Sequence, residues 1–163
     1  MEKDNRPSAV ALVQNPALGA LLIWKFGKAY QEEKVTDLPL MPYQFLVLPL
    51  LFHAETLDYI RSTNPSSGLA QLTKKLGEHR ELLLAIHPRV LSMRSLTLDS
   101  IATGIASKQL HLNYETGSIR SNASRPPAVP ERLKYHFRGA EKLGRWFARL
   151  APEQVFSLLR VEP

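Results

Sequence analysis

Residues 109–121, QLHLNYETGSIRS, alternate in the manner of a β-hairpin while the segments on either side carry helical periodicity. Leu110 and Leu112 alternate with His111 and Asn113, Ile119 answers them across Glu115-Thr116-Gly117, and Gly117 can take the positive φ that a short hairpin loop requires. Two strands alone are marginal in water. The hairpin must therefore lie on helices or on a partner, which narrows the fold to a mainly α domain carrying one β-hairpin.

Asn15-Pro16 is a helix-start pair, a capping side chain followed by a residue with φ preset and no amide hydrogen to leave unpaired. The helix it opens is predicted to run to about Glu33. Leu18, Leu22, Phe26 and Ala29-Tyr30 recur at helical spacing, and Leu21, Ile23 and Trp24 widen the apolar sector enough for contacts on two sides; Gln31-Glu32-Glu33-Lys34 is a polar exit. Residues 38–52, LPLMPYQFLVLPLLF, are apolar and punctuated by Pro39, Pro42 and Pro49, which suits a buried helix or an irregular core segment, and a helix is expected, with Pro42 in its first turn and Pro49 bending it. Glu55 to Arg61 reads as a short helix, and Ser66-Ser67-Gly68 offers capping hydroxyls for a helix over 67–77 with Leu69, Leu72 and Leu76 on one face. From Arg80 to Ser107, Leu83, Ile86, Val90, Met93, Leu96-Thr97, Ser100-Ile101 and Gly104 track one side, interrupted at Pro88, as expected of a helix pair or one kinked helix. After the hairpin, SNASRPPAVP is a turn-rich linker, Glu131 to Leu150 is strongly amphipathic, and Pro152 opens a final short helix. Residues 1–163 are thus predicted to be a single winged-helix-like helical domain, with the hairpin as the wing and residues 1–14 as a flexible N-terminus. A helical bundle with one added hairpin fits the same order.

Much chemistry is missing. With no cysteine, the chain has no disulfides, thiolate nucleophiles or Cys-based zinc sites, which fits a reducing cytoplasm. The N-terminus lacks the apolar core of a secretory signal, and the longest apolar run falls short of the roughly 20 residues of a membrane span. There is no glycine-rich phosphate loop, no G-x-S-x-G and no H-E-x-x-H. His53, His79, His87, His111 and His136 never stand three or four residues from one another, so no helix offers a metal two imidazoles, and neither metal nor cofactor is expected. His53 with Glu55 and Asp58 is the only acid-plus-histidine cluster before a turn, and a helix start favours acids there without catalysis.

A formal charge of +6 favours an acidic partner, and the strongest basic constellation is late in the chain. Lys134, Arg138, Lys142, Arg145 and Arg149 stand four, four, three and four residues apart, along one helix face. Beside them Leu133, Phe137, Ala140, Leu143, Phe147 and Leu150 form the apolar stripe. Such a face is either solvated or a contact for an acidic protein surface or a DNA backbone, where it would set position without reading sequence. Trp24, Phe26 and Tyr30 of the first helix, and Trp146, are candidate anchors of a protein interface, although core packing accounts for them equally well. Lys74, Lys75, Arg80 and Arg120 are sparse and interrupted by Glu78 and Glu81, a poor complement for a sequence-reading helix.

With these elements placed, the sequence resembles a known family. The stretches NPALGALLIWKFGKAYQEE, LPLMPYQFLVLPLLFHAETLDYIRST, the SSGL helix start, LLLAIHPRVLSMRSLTLDSIATGIASKQLHL and KLGRWFARLAPEQVFSLLRVEP look like the middle component of bacterial three-component ABC systems, over nearly the whole chain. Such systems, Lamassu-type antiphage defence among them, pair an SMC- or Rad50-like ABC ATPase with an effector, often a nuclease, and a small middle subunit. The resemblance implies a non-catalytic adaptor linking ATPase to effector in the cytoplasm, similar in role to the winged-helix accessory subunits of condensin-like complexes. The family defines no catalytic motif and so assigns no active-site residue. The alternative is a free-standing winged-helix DNA-binding transcription regulator, which needs a basic recognition helix and a dimer matched to two half-sites.

Overall fold

A computed structural model describes residues 15–125 and 128–163; the stretch expected to be a flexible N-terminus, 1–14, lies outside them. Helix α1 spans Pro16–Glu33, with the Asn15 side chain accepting from the Leu18 amide at 3.0 Å and Pro16 in the first turn. It runs through the centre of the molecule. One side packs on α8 (Lys134–Ala148) and the other on α7 (Arg94–Ala106), which is why its apolar sector is too wide for a surface helix. Gly144 of α8 meets this helix at the Phe26 carbonyl, where a methyl group would come within 2.2 Å of the oxygen.

Helix α2, Met41–Leu51, is the predicted buried helix, with Pro42 in its first turn and Pro49 inside it. The Pro49 carbonyl accepts from Arg89 Nη1 at 2.9 Å. Helix α3, Ala54–Ser62, is capped by His53, whose Nδ1 accepts from the Thr56 amide at 3.4 Å and lies 2.9 Å from the Thr56 hydroxyl. A capping Nδ1 must be unprotonated. Burial, reinforced by nearby Arg89 and opposed by Glu55, holds the imidazole pKa below its ordinary 6.5. Above that pH both folded and unfolded chains carry a neutral ring. As pH falls below it, the unfolded chain takes up a proton that the folded chain declines, so stability falls toward the folded-state pKa. Melting temperature is therefore expected to decline as pH falls below about 6.5, with a shallower decline in His53→Asn, which retains a capping oxygen. Superimposable profiles would show that His53 does not carry the effect.

Helix α4, Gly68–Gly77, buries Leu69, Leu72 and Leu76 as predicted, but no serine hydroxyl caps it. Ser66 instead donates both its amide and its hydroxyl to Asn64 Oδ1, at 3.0 and 2.9 Å, closing the preceding turn. The long periodic stretch divides into α5 (Arg80–Leu84), α6 (Ile86–Ser92) and α7. Backbone bonds bridge both breaks, from Ala85 to Glu81, Arg89 to Ala85, Met93 to Arg89 and Thr97 to Met93. The stretch is one kinked helical trace. Pro88 has no amide hydrogen for the Leu84 carbonyl, which accounts for the first break.

Strands β1 (Leu110–Asn113) and β2 (Ser118–Ser121) form the hairpin, with Leu112 opposite Ile119 and His111 opposite Arg120. Leu110 and Ile119 are buried, Leu112 is half-buried, and Tyr114 to Thr116 project. Gly117 holds φ +68 in the loop. The hairpin rests on helices, as its size demands: Gln31 exchanges two hydrogen bonds with the Ser121 backbone, and Trp24 Nε1 donates to the Asn122 carbonyl at 2.9 Å. The segment before α2 pairs with its free edge, Ile119 N–H to Pro39 O at 2.9 Å and Met41 N–H to Gly117 O at 2.7 Å. A single 3-10 turn, Glu131–Leu133, leads into α8, and α9, Pro152–Leu159, closes the core with Val155 and Leu159. The fold is mainly α with one β-hairpin.

Candidate partner interface

The basic face of α8 is largely engaged within the chain. Lys142 Nζ donates to the carbonyls of Ile60, Arg61 and Thr63 at 3.1, 3.0 and 2.8 Å, completing the C-terminal end of α3, where carbonyls lack helical partners and the dipole is negative. Burial, with Lys75 and Arg138 nearby, pulls its pKa below the usual lysine value. Arg145 stands among three carboxylates: Nη2 reaches Glu32 at 3.3 Å and Glu141 at 3.2 Å, and Nη1 reaches Glu33 at 3.7 Å. Arg149 donates to Glu33 at 2.8 Å and to the Pro65 carbonyl at 3.0 Å, and its bond lowers the Glu33 pKa. Lys134 pairs with Glu131. Arg138 is exposed and enters no ion pair among the described residues. Charge reversal at Arg145 would place a fourth carboxylate beside three and disturb the α1–α8 contact, so Arg138 is the position where a partner's charge can be probed cleanly.

Trp24, Phe26, Tyr30 and Trp146 are buried, none more than 5% exposed. Phe26 meets Phe147 edge-on at 5.3 Å and Tyr30 approaches Tyr43 at 6.1 Å. Each tryptophan pins a loop, Trp24 at Asn122 and Trp146 through a 3.0 Å bond to the Pro65 carbonyl. In this structure the four rings are core and present no surface to a partner.

Val35, Leu40, Tyr114 and Val129 are exposed at scattered positions, while four other exposed apolar side chains line up on α5–α7. Leu84, Leu91, Leu98 and Ile105 are 51, 60, 42 and 37% exposed. The inward side carries Ile86, Val90, Met93, Leu96 and Ile101, as the periodicity predicts. Sequence reasoning followed that stripe and missed the outward one, although its seven-residue spacing is visible in the chain. Chemistry is sparse elsewhere: among the described residues no group of three or more histidines, cysteines and acids could hold a metal, and no helix is long and apolar enough to cross a membrane. His53, Glu55 and Asp58 belong to the start of α3, where His53 acts as its cap.

No curated protein and no solved structure matches the chain. The family model for the ABC-three component (ABC-3C) system Middle Component 3 spans residues 3–163, the whole helical body and its hairpin, and the chain belongs to that family, as its resemblance to middle components implied.

Proposed function

We propose that this middle component is the non-catalytic adaptor of its system, a cytoplasmic subunit that ties an SMC- or Rad50-like ABC ATPase to an effector in antiphage defence. The observation that supports this reading is the row of exposed apolar residues on α5–α7, Leu84, Leu91, Leu98 and Ile105, because large apolar side chains aligned on one face of a monomer mark an interaction surface. The hairpin acts as a wing: the backbone at Pro39–Met41 pairs with its edge in an isolated bridge between Leu40 and Ser118, and its exposed tip points away from the core. Arg138 is the member of the α8 face that we assign to an acidic partner surface. Were it to meet DNA instead, the assembled complex would bind DNA with steep salt dependence and without sequence preference.

The test is a pull-down of the tagged chain from cells co-expressing the other two components. Both are expected to co-purify at low and moderate salt, and the chain alone is expected to hydrolyse neither nucleotide nor nucleic acid. Recovery of a monodisperse chain with neither partner would overturn the adaptor reading.

A further inference from the structure

We infer that the outward face of α5–α7 is a coiled-coil docking seam for a single amphipathic helix of a partner subunit, one with an apolar heptad repeat and an acidic border; the inference rests on the adaptor reading and names the partner's chemistry. The exposed residues Leu84, Pro88, Leu91, Ser95, Leu98, Ala102 and Ile105 are spaced alternately by four and three. That is the 3.5-residue period of a coiled-coil seam, held over three heptads of the kinked α5–α7 trace. Within the seam the large residues Leu84, Leu91, Leu98 and Ile105 alternate with the smaller Pro88, Ser95 and Ala102, so projecting knobs are separated by shallow positions that can receive the knobs of an incoming helix. The backbone bonds across Ala85 and Met93 carry the seam through both breaks.

Charge beside the seam selects the occupant. Arg80, His87 and Arg94 follow one border at seven-residue spacing, while Ala85, Ser92 and Asp99 follow the other. Arg80, Arg94 and Asp99 are exposed and enter no ion pair among the described residues. In a parallel pairing with a second copy of this chain, border residues five apart would meet. Arg94 would then find Asp99, but Arg80 and His87 would face Ala85 and Ser92; an antiparallel copy would set the basic borders against each other. His87 Nδ1 already accepts from the Glu162 amide at 3.3 Å, so a partner helix with acids along that border satisfies the two exposed arginines, Arg80 and Arg94. The seam therefore fits another protein better than it fits itself.

The chain has no cysteine, so Leu91→Cys, Leu98→Cys and the hairpin-tip variant Glu115→Cys each give a unique attachment point. Each purified variant is labelled with benzophenone maleimide, mixed with the ATPase and effector components, irradiated and mapped by mass spectrometry. The Leu91 and Leu98 adducts are expected on one segment of one partner, about seven residues apart, in a sequence with an apolar heptad repeat and an acidic border. The Glu115 adducts are expected elsewhere. Leu91→Asp combined with Leu98→Asp is expected to lower partner recovery by about tenfold or more, while the isolated variant melts as the wild type does because both side chains are exposed. If the complex forms but the adducts scatter or fall on a second copy of this chain, or if the double variant retains its partner, the seam inference fails and the adaptor reading stands. If the unlabelled wild-type chain forms no complex at all, both fail.

Discussion

Gly144→Ala is expected to lower the melting temperature of the isolated chain by about 5–10 °C. The added Cβ would lie 2.2 Å from the Phe26 carbonyl oxygen and 3.0 Å from Ala29 Cβ. The first of these is backbone and the second is rigidly attached to it, so neither can swing aside. Helices α1 and α8 would have to separate along the largest helix contact in the core, and overpacking of this kind costs about 1–3 kcal/mol or more. In a chain of this size each kcal/mol is worth about 2–4 °C. Gly77→Ala is the control, because its nearest neighbour would be Leu83 Cδ2 at 3.9 Å. That change is expected to be neutral or slightly stabilising, through the unfolded chain's lost freedom. Equal shifts for the two variants would show that the α1–α8 approach is wrong.

Trp146→Ala is expected to destabilise the isolated chain by about 3–5 kcal/mol, and a thermal or urea melt measures it without any partner present. Trp146 is 1% exposed, and removing it leaves a cavity in the core while the Pro65 carbonyl loses one of its two donors. Trp146→Phe fills part of that space and should retain a cooperative transition at an intermediate temperature, which keeps the comparison readable if the alanine variant fails to fold. A ring that anchored a partner from the surface would behave otherwise. The isolated variants would then melt like the wild type and lose only partner binding.

The hairpin, the Asn15 cap, the width of α1 and the inward stripe of α5–α7 were legible because each is a local pattern: period two, a capping pair, or period 3.6. The partners of the basic face were not. Lys142 reaches carbonyls about eighty residues earlier in the chain, and nothing in the local spacing points to the end of α3. Glu32 and Glu33 read as a polar exit from α1, yet folding sets them beside Arg145 and Arg149. The helical glycines carried a signal that was not taken up. A glycine inside a helix costs about 1 kcal/mol, so its presence at Gly144 announces close approach by a neighbouring backbone. The outward seam was hidden for a different reason, since the same stretch of chain already carried one apolar stripe and its second face was counted as solvent-facing by default.

Leaving the chain out tests the adaptor most directly. Native mass spectrometry of the co-expressed three-component system should show one assembly containing ATPase, effector and this chain, and omission of this chain should leave ATPase and effector as separate species. An ATPase–effector assembly that forms equally well without it would contradict the adaptor function.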